Sequence, residues 1–311
     1  MLLKMIASKP ACFLFSCLFI CACTSPAISQ YYFYNSQYYD ALFTAEGGLS
    51  GGAMNCLTDL GGRHEQAKNS LSDVNWRTTQ PCAGLFAAIN YNGIVGLRAE
   101  LAFGQVSAAD SILKHYTAAD NGRYLRNLSF SSVIREVSLL AEWYPLGIFP
   151  SLDLSLCPYL VAGAGIFDFN PQAVLNRTWV SLPALHTEGE GWMEYPERRP
   201  YKLTQLNVPV GGGVKYELGP LFTLRCEFIY RWLFTDYLDD VSTTYVNPAR
   251  FDVHLNSPIA ALAEKLADRR RERGAPSANH TGEIRGNSSN KDAFFSVNVK
   301  CSFVMGRKKI R

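Results

Sequence analysis

Charged side chains that could take part in chemistry recur at every second position of several apolar segments. Arg98 and Glu100 alternate with leucine and alanine, and Arg225, Glu227 and Arg231 alternate with mainly apolar residues. Glutamates beside arginines can act as a general acid and base, line a path for ions, or pair with one another. The full candidate set is Glu46, Arg98, Glu100, Glu136, Glu142, Lys215, Glu217, Arg225, Glu227, Arg231 and Lys300.

The elements that must position these residues are β-strands, because side chains two apart share one face of a strand. The alternation predicts about eight strands, each as long as the roughly 9–11 residues that cross a membrane when tilted. They cover roughly residues 42–54, 79–91, 94–107, 129–144, 156–170, 203–218, 221–235 and 292–305. Pro209 interrupts one of them, and we expect a β-bulge there because proline lacks the N–H that a closed sheet needs.

The connections between these segments alternate between short and long. Asn92-Gly93 and Gly219-Pro220 are tight turns, and the segment 145–155 is also short, whereas the other four connections are much longer. Bacterial barrels have short periplasmic turns and long extracellular loops. The pattern predicts an all-β fold, a transmembrane antiparallel β-barrel in the outer membrane, with Lys68, Lys114 and Arg269 on the extracellular side.

A soluble barrel would show the same alternation, so other features must distinguish the two. Four aromatic residues beside the short turns, namely Tyr91, Trp143, Tyr144 and Tyr216, are placed as an interfacial girdle would be. Glycines are frequent on the polar faces, which suits a crowded narrow interior. We therefore expect membrane lipid on the outside and the charged candidates in the lumen.

The lumen charges then have three interpretations. An eight-stranded barrel is only wide enough for side chains, and isolated buried ions are costly, so the charges should pair and form a plug. A conduction pathway is the alternative. A general acid–base site would need a substrate cleft that the sequence does not indicate.

The N-terminus has the order of a secretory signal peptide: lysines, an apolar run, then small residues. Cleavage after Ser29 would give a signal peptide at 1–29 and a barrel domain at 30–311. Ile20-Cys21-Ala22-Cys23 loosely resembles a lipobox, which leaves lipidation at Cys23 as the alternative.

Composition and motifs exclude several functions. With 30 basic and 27 acidic residues the net charge is +3, and no basic stripe predicts nucleic-acid binding. The five cysteines after residue 29 show no metal-ligand spacing, and no catalytic motif occurs, so we predict no enzyme activity, no cofactor and no metal. Loop acids could bind Ca²⁺, but their spacing is not that of an EF-hand, which favours solvated or turn-forming acids; they are Glu188, Glu190, Asp236, Asp239 and Asp240.

One long connection carries a helix pattern. Ser257 is placed as an N-cap, Pro258 as the first helical residue, and apolar residues line one face up to Leu266. The following Ser/Asn/Gly-rich stretch, 275–290, is predicted to be a mobile loop. The long extracellular loops therefore contain one short helix.

Several segments resemble an outer-membrane β-barrel family of the Bacteroidota that is similar to PorG, a component of type IX secretion. They are MNCLTDLGG (54–62), GRYLRNLSF (122–130), FNPQA (169–173), LHTEGEG (185–191), PVGGGVKYEL (209–218) and TDYLDDVSTTY (235–245). The resemblance implies a structural or interaction role, with periplasmic secretion-system proteins as partners, and it assigns no catalytic residues. A passive channel and an enzyme at the rim are the competing hypotheses. The basic tail Arg307–Arg311 is either a contact for an acidic partner or a solvated terminus.

Overall fold

The computed structural model describes residues 38–61, 74–115, 121–148, 156–275 and 279–309. The predicted signal peptide, both cleavage alternatives and Lys68 lie outside these residues. Ten strands are present in the described part of the chain. They are β1 (Tyr38–Leu57), β2 (Gln80–Tyr91), β3 (Val95–Ala109), β4 (Ser129–Trp143), β5 (Leu156–Asp168), β6 (Gln172–Leu175), β7 (Thr178–Ser181), β8 (Thr204–Glu217), β9 (Phe222–Leu233) and β10 (Ala293–Lys309).

Eight of these strands close into a barrel. The order is β3-β2-β1-β10-β9-β8-β5-β4, all neighbouring pairs are antiparallel, and β4 pairs back with β3 from Val95↔Trp143 to Ala109↔Ser129. Closure leaves no free sheet edge, which is what a sheet requires to cross a bilayer. The eight predicted strands are confirmed, and β6 and β7 form an additional small hairpin outside the barrel.

The two faces of the wall are the reverse of those in a soluble barrel. Apolar side chains point outward, as shown by Leu97 and Val137, which are 53% and 60% exposed, whereas Arg98 and Arg225 point inward and are fully buried. An exposed apolar band around a charged interior is stable only when lipid covers the band. The protein is therefore a transmembrane β-barrel of the outer-membrane type.

Two local expectations about the barrel are wrong. Tyr144 is not part of an outer girdle, because its ring is 3% exposed and its hydroxyl donates to Glu142 inside the barrel. Pro209 causes no bulge: the β5–β8 ladder runs from Ala162↔Val210 to Gly165↔Asn207 in one register. The chain accommodates proline by omitting the pairings of Val208 and Pro209 with β5, while both residues stay paired with β9. A register shift occurs instead between Asp40 and Ala45 of β1.

The long connections gather at one end of the barrel into a folded structure, which we call the cap. Its described residues are 58–61, 74–79, 110–115, 121–128, 169–203, 234–275 and 279–292. It contains the β6–β7 hairpin and three helices, α1 (Asn121–Arg126), α2 (Phe251–His254) and α3 (Ser257–Ala267). Buried apolar residues continue from the barrel into the cap, among them Phe294, Leu238, Trp192 and Phe251.

The cap corrects one expectation about the last long connection. The N-cap of α3 is Asn256, one residue before the predicted Ser257, and Pro258 follows in the first turn. In the described part of 275–290, Arg285 is 2% exposed and Thr244 pairs with Ile284, while the mobility of this stretch stays a prediction. Among the described residues, no helix has the length and hydropathy to span a membrane.

Candidate functional site

The lumen holds all eleven candidate residues, and we call this set the lumen network. Arg98 lies at its centre, with guanidinium nitrogens 3.1 Å from Glu100, 2.9 Å from Glu142 and 2.7 Å from Glu227. These contacts are ion pairs without good hydrogen-bond angles, since none of the three nitrogens has a hydrogen-bond partner. Lys300 bridges the same acids, 2.6 Å from Glu100 and 2.7 Å from Glu227.

The second part of the network lies nearer the short turns. Arg225 contacts Glu46 at 2.5 Å and Glu142 at 2.8 Å. Lys215 also pairs with Glu46, so two cations share that carboxylate. Arg225 lies on β9, whereas Glu46 and Glu142 lie on β1 and β4, so these ion pairs join strands that are not neighbours in the sheet.

The remaining candidates pair at the two ends of the lumen. Near the cap, Arg231 donates to Glu136 at 2.6 Å, and the Asn207 amide donates to the other oxygen of that carboxylate at 2.8 Å. Near the short turns, Glu217 pairs with Arg307 at 2.5 Å. Sequence reasoning missed Arg307, because strict alternation along β10 would place it on the lipid-facing side. Gly306 breaks the alternation with a φ of +98°, and the Arg307 side chain is only 3% exposed.

Aromatic residues that the sequence did not indicate complete the lumen. The Tyr159 hydroxyl donates to Glu227 at 2.9 Å. The Phe86 ring lies 5.8, 5.5 and 5.3 Å from the cationic groups of Arg98, Arg225 and Lys300. Each strong charge in the network therefore faces an opposite charge, and a ring or hydroxyl fills space beside it. Chemically, the arrangement neutralises and fills the lumen.

The cap has a different electrostatic composition. Eight carboxylates are buried in its described part, namely Asp59, Asp110, Glu188, Glu190, Asp236, Asp239, Asp240 and Asp292. We call them the cap acids. Three arginines are buried with them, Arg126, Arg198 and Arg285. Sequence analysis favoured solvated or turn-forming acids in these loops. Solvation is wrong for the five loop acids it named, because a folded hydrophobic cap encloses them. The turn-forming alternative holds for Asp239, which accepts a hydrogen bond from the N–H of Val241 at 3.0 Å.

Two arginine–carboxylate units hold the cap loops together. Arg126 donates two hydrogen bonds to Asp110, at 2.7 and 2.9 Å, and one to the carbonyl of Asp59. Arg285 donates to Glu188 at 2.9 Å and to the carbonyl of Asp240 at 2.6 Å.

Glu188 also connects separate loops of the cap. Its carboxylate accepts bonds from the backbone N–H groups of Ser242 and Thr243, at 3.0 and 2.9 Å, besides the bond from Arg285. Every oxygen of this carboxylate is hydrogen-bonded. Glu188 therefore connects the loop between β7 and β8 to the loop after β9.

Other cap acids lack such partners. Both carboxylate oxygens of Glu190 are buried without a hydrogen bond, and so is one oxygen each of Asp236 and Asp239. Burial raises the pKa of Glu190 to about 8, with repulsion from Asp240 and Glu188 adding to it. His186, 4.0 Å from Glu190, has its own pKa lowered by burial.

The aspartates of the cap show the same effect. Burial raises the pKa of Asp236 to about 7 and that of Asp240 to about 6. The pKa of Asp239 is raised well above its ordinary value, first by burial and then by repulsion from Asp59 and Asp236. At neutral pH the cap interior must therefore hold some of its carboxyl groups in the protonated form. Among the described residues, no group of three or more His, Cys, Asp or Glu side chains is arranged to hold a metal ion.

No family model and no curated protein matches the sequence. Solved structures with some similarity include the attachment invasion locus protein Ail of Yersinia pestis in complex with the heparin analogue sucrose octasulfate (8% identity, 84% of this chain and 99% of that chain, TM-score 0.35). Neisserial surface protein A is similar at 8% identity, over 85% of this chain and 98% of that chain, with a TM-score of 0.36. A major outer membrane protein of Thermus thermophilus is similar at 12% identity, over 84% of this chain and 99% of that chain, with a TM-score of 0.35. With TM-scores this low, the assignment of the fold rests on the strand register of the chain itself.

Proposed function

We propose that this protein is a non-conducting, non-enzymatic anchor of the outer membrane that presents its cap to other proteins. The single observation that carries the proposal is the lumen network, in which the side chains of Arg98, Arg225 and Lys300 are all 0% exposed. An ion cannot pass without breaking buried pairs, each of which costs several kcal/mol to disrupt. What remains available for function is the surface outside the lumen.

The cap supplies such a surface. Met193, Val253 and Ile284 are 92%, 65% and 78% exposed on it. Contiguous exposed apolar patches mark contact sites for other proteins, and these three side chains are where we propose that the contact forms. The segments that resemble the PorG-like family support secretion of type IX cargo as the process served.

Conductance is the first test of this proposal. Purified protein in planar bilayers should show no steady single-channel current. As a positive control, a variant that removes central lumen charges, Arg98→Ala with Lys300→Ala, should conduct if it folds, because its lumen would be partly empty. Steady conductance by the unaltered protein would replace the anchor with a passive channel.

The secretion role requires a test in cells. Deletion of the gene should reduce secretion of type IX cargo, and the unaltered gene should restore it. A photo-crosslinking residue at Met193 should capture a secretion protein, whereas one at Gly219 in a short turn serves as the matched control. Capture at Gly219 alone would move the contact to the other end of the barrel. Normal secretion in the deletion strain, with no capture at either position, would leave a general outer-membrane barrel.

A further inference from the structure

A groove opens on the outer wall of the barrel, directly beside the cap. Its volume is about 510 Å³, and its lining includes Gln105, Val133, Arg135, Asp168, Gln172 and Trp179. The groove arises from a change of partner along β4. This strand pairs with β5 as far as Arg135↔Asp168 and then with β6 at Ser131↔Gln172. Between these points β4 has no strand partner on this side, although it stays paired with β3 on the other.

The groove faces lipid and not the lumen. Val133 and Val137, on the same face of β4 as Arg135, are 54% and 60% exposed and belong to the apolar outer band. Trp179 of the β6–β7 hairpin is 57% exposed beside them. Tryptophan is enriched at the level of lipid headgroups, where an apolar ring meets a polar environment. The groove therefore lies at the boundary between the acyl chains and the headgroups.

Arg135 is poorly satisfied by the protein itself. Its side chain is 68% exposed, and its one ion pair is with Asp168 at 3.9 Å, whose side chain is 46% exposed. Within the described part of the chain, the guanidinium makes no hydrogen bond. The Thr204 hydroxyl bonds weakly to Asp168 at 3.4 Å. A guanidinium has five N–H donors and binds phosphate in a bidentate manner.

We propose that this groove binds the phosphate-bearing headgroup of a membrane lipid, with Arg135 as its principal donor. The Gln172 amide lies in the same lining and can donate a further bond, while Trp179 packs against the glycerol and upper acyl region. Asp168 can accept a hydrogen bond from a hydroxyl or ammonium group of the headgroup. A lipid is favoured over a soluble anion because the groove is continuous with the acyl-covered wall at Val133.

Native mass spectrometry of the full chain in mixed micelles tests this proposal. The micelles would contain either phosphatidylglycerol or a phosphate-free galactosyl diacylglycerol with the same acyl chains. We expect one phosphatidylglycerol to be retained preferentially, and Arg135→Gln to reduce that retention about fivefold, the effect of one basic residue near a membrane surface. Arg77→Gln is the matched control, because Arg77 is also an exposed arginine beside an exposed tryptophan, Trp76, but does not line this groove.

Three results would overturn the proposal. Equal retention of the two lipids would mean that only the acyl chains bind. Equal losses for Arg135→Gln and Arg77→Gln would mean a diffuse attraction to surface charge. Competition by soluble glycerol phosphate at millimolar concentration would identify a site for a free anion and not for a lipid. Circular dichroism of both variants checks the fold, which substitutions of such exposed side chains should preserve.

Discussion

The lumen and the cap both bury many charges, but they balance them differently. In the lumen network and its extra partner Arg307, six carboxylates face six basic side chains, whereas eight cap acids are buried with three arginines. Lysine and arginine on one strand can reach glutamates on another across a narrow barrel, so pairing is built into the wall. The cap is assembled from loops, and its excess of acid is held by hydrogen bonds, a few arginines and retained protons. Removal of one paired charge should therefore destabilise the lumen, whereas removal of a cap acid without hydrogen-bond partners, such as Glu190, should stabilise the cap.

The largest effect is expected from breaking one lumen pair. Arg231→Met leaves Glu136 buried with only the Asn207 amide to solvate it, which should reduce the free energy of unfolding by about 3–5 kcal/mol. The measurement is the unfolding midpoint of the barrel in urea with detergent micelles, followed by circular dichroism. The double variant Arg231→Met with Glu136→Gln should be more stable than the single one, because no unpaired charge remains. If the double variant is less stable than Arg231→Met, the ion pair itself contributes net stability. The proposed difference between lumen and cap would then be wrong for the lumen.

The next effect is a dependence of cap stability on pH. Carboxyl groups whose pKa is raised in the folded state bind protons that the unfolded state has already released. The stability that these groups contribute is therefore fully present below their ordinary pKa values near 4. It is lost as pH rises through their pKa values in the folded state, about 6 for Asp240, 7 for Asp236 and 8 for Glu190.

Fluorescence of Trp192, which is 6% exposed in the cap core, reports cap opening in urea when Trp192→Phe is subtracted. The equilibrium constant for opening of the cap should rise at least about tenfold from pH 5 to pH 9, which is the effect of a pKa shift of one unit. Circular dichroism of the barrel strands should change less over the same range. A cap that becomes more stable with rising pH would contradict the assignment of protonated carboxyls.

A smaller effect, of opposite sign to the lumen variants, is expected from Glu190→Gln. An amide keeps the shape and removes a charge that has no partner, so the cap should be unchanged at pH 5 and several-fold harder to open at pH 9. Glu188→Gln is the matched control on the same loop, because its carboxylate accepts bonds from Ser242, Thr243 and Arg285. That variant should open more readily at both pH values. Equal behaviour of the two variants would mean that partners do not distinguish the cap acids.

The difference between the lumen and the cap also explains which parts of the structure could be predicted from the sequence. Alternation in a strand fixes the side on which Arg98 or Glu227 lies, and closure of the barrel then brings inward charges together whatever their order. Strand number and lumen membership therefore follow from local pattern. The cap acids lie in loops, where Asp240 with a φ of +64° and Gly189 with a φ of +71° set the direction of the chain. No repeating pattern in the sequence indicates that Glu188 contacts Ser242. Burial of the cap acids therefore depends on tertiary contacts alone.

Irregular backbone limits prediction inside the barrel as well. Tyr144 follows the last residue of β4 and turns inward, and Gly306 redirects the Arg307 side chain from the lipid face to Glu217. The register shift of β1 between Asp40 and Ala45 lies opposite this part of β10. Both departures occur where a strand ends or bulges, which is where period-two reasoning stops applying.

The smallest effect is expected at Arg307, and it tests the interpretation of the basic tail. Its guanidinium donates to the Pro220 carbonyl at 3.1 Å and pairs with Glu217, whose side chain is 22% exposed, so it connects the end of β10 to the β8–β9 turn. Because the pair is partly open to solvent, Arg307→Ala should cost about 1 kcal/mol, measured in the same urea titration as Arg231→Met. The double variant with Glu217→Gln should cost no more than the single one, since the Glu217 side chain that the single variant leaves unpaired is partly exposed. If Arg307→Ala leaves stability unchanged but abolishes a photo-crosslink placed at Gly219, the residue serves a partner and not the fold. Loss of stability with an unchanged crosslinking pattern would make Arg307 a twelfth member of the lumen network and leave the contact for partners to the cap.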